Sequence, residues 1–142
     1  MKTARRPHTS PNDQRRVTVI KLVYCLRKRA DVSDADFHRY WLETHGPLVR
    51  GFAAAIKARK YIQSHTVLPA MNDIFAKSRD LAPAYDGITE VWWDDLAALE
   101  AGMATAEGQE AHRQLKEDEA KFIDFAQSRV FMTEEHVIFD HG

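Results

Sequence analysis

The residues best suited to chemistry lie between Asp36 and Val49, where DFHRYWLETHGPLV combines three aromatic residues, two histidines and a Gly-Pro pair. Pro47 cannot donate a hydrogen bond to the carbonyl four residues earlier, and it disfavours the α-helical conformation for Gly46. We therefore predict that the helix kinks or restarts here, which makes His45 the last side chain before the break. An imidazole titrates near neutral pH and can act as a general acid or base. A histidine here either caps the helix end or takes part in a reaction.

The helix that carries this stretch is predicted to begin at Ser33 or Asp34, since both are good N-caps. At helical spacing, one buried stripe is predicted along it, formed by Phe37, Trp41, Thr44 and Leu48. The apolar pattern continues after the break to about Arg59.

A second polar set lies on the strand predicted from Tyr61 to Leu68. Alternation places Tyr61, Gln63 and His65 on one face of this strand. Each carries a group that needs a hydrogen-bond partner when buried. The row is therefore either a solvent-exposed face or the lining of a pocket.

The other elements complete a regular order of strand, helix, strand, loop, strand, helices and strand. Further strands are predicted at 17–26, 86–93 and 129–139, a long loop at 69–85, a short helix after Asp94 or Asp95, and a longer helix from Thr105 to about Ala126. This order predicts an α+β fold of the ferredoxin-like, split βαβ type with a four-stranded antiparallel sheet. The acidic run at 117–119 is interpreted as solvated surface, and His112 as exposed.

The first strand is apolar on both faces, so both faces need a cover. Helices can cover one face only, and a bare apolar sheet exceeds what monomers tolerate. We therefore predict a homodimer in which two sheets face each other and bury on the order of 2,000 Å². Lys21 is interpreted as an edge gatekeeper or as a charge facing a cavity, Cys25 as buried, and Glu90 as a cross-strand ion-pair partner.

Length and composition exclude several classes of protein. The 142 residues suit one domain, 17–142, preceded by a basic segment, 1–16, with net charge +4. That segment is either a flexible arm or an arm that clamps a partner. The net charge of −1 and the absence of a long apolar run or leader argue against nucleic-acid and membrane binding. A single cysteine is typical of a cytoplasmic location.

The chain resembles the EthD family, named for ethyl tert-butyl ether degradation, within the dimeric α/β-barrel superfamily. The likeness rests on FHRYWLETHGPLV at 37–49, YIQSH at 61–65 and YDGITEVWWDD at 85–95, with support from 118–124 and 133–137. Family members often have Asn where this chain has Ser64. The resemblance implies a dimeric barrel and a pocket lined by His45 and His65, with Tyr61, Gln63, Trp41 and Trp93 nearby.

Three functions are compatible with this resemblance. The favoured one is a cofactor-independent enzyme, of an oxidoreductase (monooxygenase) or dehydratase/cyclase type, acting on a small aromatic or polyketide-like molecule. In it, His45 or His65 is the acid or base, Tyr61 or Gln63 binds a substrate oxygen, and Trp41, Trp93 and Tyr24 form apolar walls. The second is a non-catalytic protein that binds such a molecule, and the third is a haem-binding barrel. A metal site has little support, because no paired-histidine helix motif or CxxC is present.

Overall fold

The computed structural model describes residues 19–142 of the chain. These residues form four strands and five α-helices. In chain order they are β1 (Ile20–Leu26), α1 (Asp34–Tyr40), a π-helical turn (Trp41–His45), α2 (Gly46–Phe52), β2 (Lys60–His65), α3 (Pro69–Ser78), β3 (Gly87–Trp93), α4 (Leu96–Ala104), α5 (Ala106–Glu119), a 3-10 turn (Phe125–Gln127) and β4 (Arg129–Thr133). The predicted basic arm and the predicted start of the first strand lie outside the described residues.

The strands form one antiparallel sheet in the order β2-β3-β1-β4. This is the ferredoxin-like arrangement, and the predicted α+β class is confirmed. The helices cover the face that carries Tyr24 of β1, Tyr61 of β2 and Val91 of β3, since these residues line one cavity with residues of α2 and α5. Leu26 lies in the core with Phe37, Trp41, Phe122 and Ile123.

Strand β1 is central, so the interpretation of Lys21 as an edge gatekeeper is wrong. Its Nζ donates to Glu90 Oε2 across the β1–β3 pair at 2.7 Å. This confirms the cross-strand role predicted for Glu90. The pair lies on the sheet face opposite the helices, where Ile62 and Phe131 are 37% and 50% exposed. Cys25, on the same face, is half-buried rather than buried.

The helix from Ser33 does not break at the Gly-Pro pair. The Ser33 side chain caps it by accepting from Asp36 N, as predicted. Gly46 remains α-helical (φ −55°, ψ −51°) and donates to the carbonyl of Trp41, five residues earlier. The predicted departure of Gly46 from the helical region is therefore wrong, because a π-helical turn accommodates Pro47 without a break.

The π-helical turn changes which side chains are buried after it. The predicted stripe fails at Thr44, which is exposed, and at Leu48, which is half-buried. The buried stripe is Phe37, Trp41, His45 and Val49. The wider turn moves the buried positions forward by one residue, and this rotation brings His45 inside the protein.

One helix and three element ends differ from the predictions. The predicted loop at 69–85 contains the ten-residue α3, none of whose residues is buried. Helix α5 ends at Glu119 rather than near Ala126, although Phe122 is still buried just beyond it. Strands β2 and β4 end at His65 and Thr133, earlier than predicted. Asp95 and Thr105 cap α4 and α5 as predicted.

Among the described residues, no helix is long and apolar enough to cross a bilayer.

Candidate functional site

A cavity of about 320 Å³, here called the inner cavity, lies between the sheet and helices α2 and α5. Its lining is mainly apolar, with a few side chains that can donate, accept or transfer protons. These polar or titratable residues are Tyr24, His45, Tyr61, Thr89, His112, Lys116 and Glu119. An apolar cavity with a few convergent polar groups is the usual form of a small-molecule site.

His45 lines this cavity and is bound from behind by Asp118 of α5. His45 Nδ1 lies 2.7 Å from Asp118 Oδ2, and the two residues are 5% and 7% exposed. A carboxylate can only accept, so Nδ1 carries the proton and Nε2 is left as the basic nitrogen. His45 was predicted to end a helical segment at the lip of the site; instead it lies inside a continuous helix.

Burial and the Asp118 carboxylate act on His45 in opposite directions. Burial lowers the pKa of His45, and Asp118 offsets only part of this effect. The imidazole is therefore neutral near pH 7, which is the state a general base needs. The Tyr40 hydroxyl donates to Asp118 Oδ1, so both carboxylate oxygens are engaged.

The interpretation of 117–119 as solvated surface is wrong for Asp118 and Glu119. Asp118 is buried against His45, and Glu119 lines the inner cavity. Burial raises the pKa of Glu119 to about 7, with a further contribution from the Asp118 charge. Glu119 is thus a carboxylic acid that retains its proton in a good part of the population near neutral pH.

A signal for Asp118 was present in the sequence. Ala111 and Leu115 are apolar residues one helical turn apart, and both are buried. Positions 111, 115, 118 and 122 follow one helical face, so the spacing assigns Asp118 to that face. The charged residues on either side of Asp118 made this pattern difficult to recognise.

His112, predicted to be exposed, is half-buried and lines the cavity, and its buried Nε2 has no hydrogen-bond partner among the described residues.

The predicted wall residues Tyr24, Trp41 and Trp93 all line the inner cavity, and so does Tyr61, which was predicted to bind a substrate oxygen. Trp93 Nε1 donates to the Ile56 carbonyl at 2.9 Å, which fixes the indole ring. Burial raises the pKa of Tyr24, and so does the nearby Glu119 carboxylate. Tyr24 therefore keeps its proton in this environment.

His65 lies apart from His45, because it does not line the inner cavity. Its ring packs on the indole of Trp41, with 4.2 Å between the ring centroids. Its Nε2 lies 2.8 Å from Gln63 Oε1, and its Nδ1 lies 2.8 Å from His38 Nδ1. The structure thus connects His65 to the cavity only through its neighbours.

Gln63 is the link between His65 and the cavity residue Tyr61. Its Nε2 donates to the Tyr61 hydroxyl at 2.9 Å and to the Trp41 carbonyl at 2.8 Å. Its Oε1 must therefore accept from His65 Nε2, which leaves His65 Nδ1 to accept from His38. Burial lowers the pKa of His65, and the neighbouring His38 lowers it further. The polar row of β2 is thus an internal hydrogen-bond chain rather than an exposed face.

No group of three or more His, Cys, Asp or Glu side chains within residues 19–142 is arranged to hold a metal ion.

Comparison with solved structures supports the fold. An ethyl tert-butyl ether degradation (EthD) family protein from Bacillus halodurans C-125 is 22% identical, with a TM-score of 0.55, over 83% of this chain and 99% of its own. A dimeric ferredoxin-like protein of unknown function from Thermobifida fusca YX is 14% identical, with a TM-score of 0.54, over 83% of this chain and 92% of its own.

A hydroxynitrile lyase from Passiflora edulis shares the fold with only 10% identity and a TM-score of 0.55, over 87% of this chain and 99% of its own. No curated protein matches the sequence. The EthD domain profile matches residues 29–126, well over half of the chain. The protein therefore belongs to the EthD family.

Proposed function

We propose that this protein is a small-molecule enzyme that uses His45 as a general base in the inner cavity. The observation that carries the proposal is the buried His45–Asp118 pair, whose imidazole forms part of the wall of an apolar cavity. The carboxylate fixes the tautomer and stabilises the imidazolium that forms when the base takes a proton, as in catalytic dyads and triads. A purely structural histidine does not need a cavity beside it.

The second titratable group suits this chemistry, because Glu119 holds a proton where His45 does not. In an elimination, His45 Nε2 removes a proton from a carbon next to a carbonyl, and the electron pair forms the new double bond. The leaving hydroxyl takes its proton from Glu119 and departs as water. Two titratable groups whose pKa values are pushed apart by their surroundings can divide the acid and base roles. We therefore favour a dehydratase- or cyclase-type reaction over an oxygenation.

The substrate that fits is small and largely apolar, with at least one carbonyl or hydroxyl group. Trp41, Trp93 and Tyr24 offer aromatic surface for a ring system. The hydroxyls of Tyr61 and Thr89 can bind a substrate oxygen. We propose that no cofactor takes part, since a cavity of about 320 Å³ lies at the lower end of ligand-pocket volumes. A His45-dependent Soret shift on haem addition would contradict this part of the proposal.

Deuterium exchange tests the proposed reaction without knowledge of the natural substrate. Bicyclic aromatic ketones such as 1-tetralone are incubated with the protein in D₂O, and exchange at the carbon next to the carbonyl is followed by NMR. We expect exchange above the buffer rate, its loss in His45→Ala, and little change in ligand affinity. Binding without exchange across a panel of ketones would favour the alternative, a non-catalytic protein that binds an apolar molecule.

We also propose that two copies associate through the sheet face opposite the helices. Val19, Ile62 and Phe131 expose apolar surface there, and the similar Thermobifida protein is described as dimeric. Light scattering in dilute solution should give twice the 16.3 kDa chain mass. A folded particle of the single-chain mass would overturn the proposal.

A further inference from the structure

A second cavity, of about 430 Å³, adjoins the inner cavity. We call it the outer cleft. It lies between helix α2, the turn that follows it, and the start of β2. Val49 and Tyr61 line both cavities, so they form a shared wall. Any ligand held in the outer cleft therefore lies next to Tyr61, whose hydroxyl accepts a hydrogen bond from Gln63.

The charges of the outer cleft are all of one sign. Arg50, Arg59 and Lys60 line it, and no Asp or Glu does. Arg50 is exposed, and its guanidinium has no hydrogen bond or ion pair with any described residue. Arg59 Nη1 lies 3.4 Å from Asp94 Oδ1. Because both side chains are largely exposed, this ion pair is weak.

Lys60 contributes less than the two arginines. Its Nζ lies 4.6 Å from the centroid of a Trp92 ring, on the opposite face of the sheet. The ammonium group therefore points away from the cleft, and the two guanidinium groups remain as its charged donors. Arginine is the side chain best suited to bind a planar carboxylate through two parallel hydrogen bonds.

The rest of the outer cleft is apolar, through Leu42, Val49, Ala53 and Ala58. An inorganic anion gains nothing from such a surface, whereas an organic anion with an apolar body matches both parts of the lining. The combination of two arginines with an apolar wall therefore selects an amphipathic anion.

We propose that the outer cleft is a subsite for the anionic group of the substrate, which makes the substrate an aromatic or polyketide-like carboxylate. The apolar ring system occupies the inner cavity beside His45, and the carboxylate lies beyond Tyr61 at Arg50 and Arg59. This inference rests on the proposed function, because it assigns the charged end of the molecule whose ring the inner cavity holds.

A matched pair of fluorescent probes tests the subsite. 8-Anilino-1-naphthalenesulfonate and N-phenyl-1-naphthylamine share the same two aromatic groups, and only the first carries an anionic group. We expect the Arg50→Gln/Arg59→Gln double variant to weaken binding of the sulfonate about 10-fold or more and to change binding of the neutral amine less than twofold. Arg39→Gln is the matched control, since Arg39 is an exposed arginine on α1 that lines neither cavity.

Two outcomes would overturn the inference. One is equal weakening of both probes by the double variant, which would show a general loss of apolar binding. The other is unchanged binding of the sulfonate. Deuterium exchange of the neutral ketone 1-tetralone serves as a separate readout of the proposed function. If the double variant binds both probes like wild type while wild type still exchanges 1-tetralone, only the anion subsite fails.

The same variant gives a kinetic readout once a ketone is found to exchange. A tetralone carboxylate should have a lower KM than 1-tetralone in the wild-type protein, and the double variant should abolish this difference by raising the KM of the carboxylate. A lower kcat for both ketones would instead indicate damage to the His45 site and would count against a separate anion subsite.

Discussion

His45 Nδ1 and Asp118 Oδ2 lie 2.7 Å apart, although the two residues are 73 positions apart in the chain. The π-helical turn supplies one partner and the last turn of α5 supplies the other. The contact therefore depends on two elements whose packing the rest of the fold determines. It is the feature on which the chemistry proposed for the inner cavity depends.

Replacing Asp118 with Asn should reduce turnover at least about 100-fold. The amide can offer its oxygen or its NH₂ group to His45, and the second arrangement places the imidazole proton on Nε2, where the base is needed. Deuterium exchange of a ketone substrate measures the effect. Wild-type exchange in Asp118→Asn would show that His45 does not depend on this partner.

The control for this variant is Tyr40→Phe, which removes a hydrogen bond to Asp118 but leaves the charge. We expect a loss of about 1–2 kcal/mol in the free energy of unfolding and a change in turnover of less than 10-fold. A larger loss of turnover than in Asp118→Asn would place the important contact at Tyr40 instead.

The rate of the proposed elimination should depend on pH in a bell-shaped manner, with its maximum below pH 7. Activity rises as His45 loses its proton, and the lowered pKa of His45 places this rise on the acidic side of its ordinary range. Activity falls as Glu119 ionises, with a pKa of about 7. Glu119→Gln should lower the maximal rate roughly 100-fold and remove the fall near pH 7. A Glu119→Gln variant that keeps the wild-type profile would exclude Glu119 as the acid.

Stability should fall as pH rises through the neutral range because of Glu119. Its pKa is about 7 when folded against an ordinary 4.5, so above pH 4.5 the unfolded chain loses this proton first. The free energy of unfolding therefore falls as pH rises from about 4.5 to 7. Above that range Glu119 lowers it no further. Glu119→Gln should unfold with about 1–3 kcal/mol more free energy than wild type at pH 8, but not at pH 4.5. Urea titrations at both values check this, and an equal effect at both would contradict it.

The close approach of Gly87 to Trp41 gives a test of the cavity wall. A Cβ on Gly87 would clash with Trp41 Cζ3, and Trp41 is fully buried. Gly87→Ala should therefore cost about 1–3 kcal/mol in the free energy of unfolding. Gly51→Ala is the matched control, because a Cβ there meets nothing within 4 Å and α2 should gain up to about 1 kcal/mol. Equal effects in thermal melts would show that Trp41 can move aside.

The strands and the helix starts were largely predicted from the sequence, because apolar alternation and helix caps are local features. The caps Ser33, Asp95 and Thr105 are examples, since each side chain accepts from the backbone N–H three residues later. Helix α3 was missed because Leu68, at its start, forms no side-chain cap and adopts a positive φ of 56°. The segment therefore offered only Pro69, at the first helical position, as a start signal.

The site was predicted only in part, because its essential contacts are not local. His45 was identified as a candidate, but the reason given, a helix break, was wrong. Nothing in the local sequence shows that Pro47 would be accommodated by a π-helical turn. The role of Asp118 also depends on which helix packs against the turn. The spacing indicated a buried face, but the partner on that face, His45, is brought there by the tertiary fold.

His65 provides the last prediction, because it contacts Gln63 rather than the inner cavity, and we propose a positioning role for it. Gln63 transmits its effect to Tyr61. His65→Ala should therefore raise KM and lower turnover less than about 10-fold, whereas His45→Ala should lower turnover at least about 100-fold. A double-mutant cycle tests the route: in a Tyr61→Phe background, His65→Ala should have little further effect on turnover. Full additivity of the two losses, or a loss in His65→Ala as large as that in His45→Ala, would instead mean that His65 acts on the substrate by a path that does not pass through Tyr61.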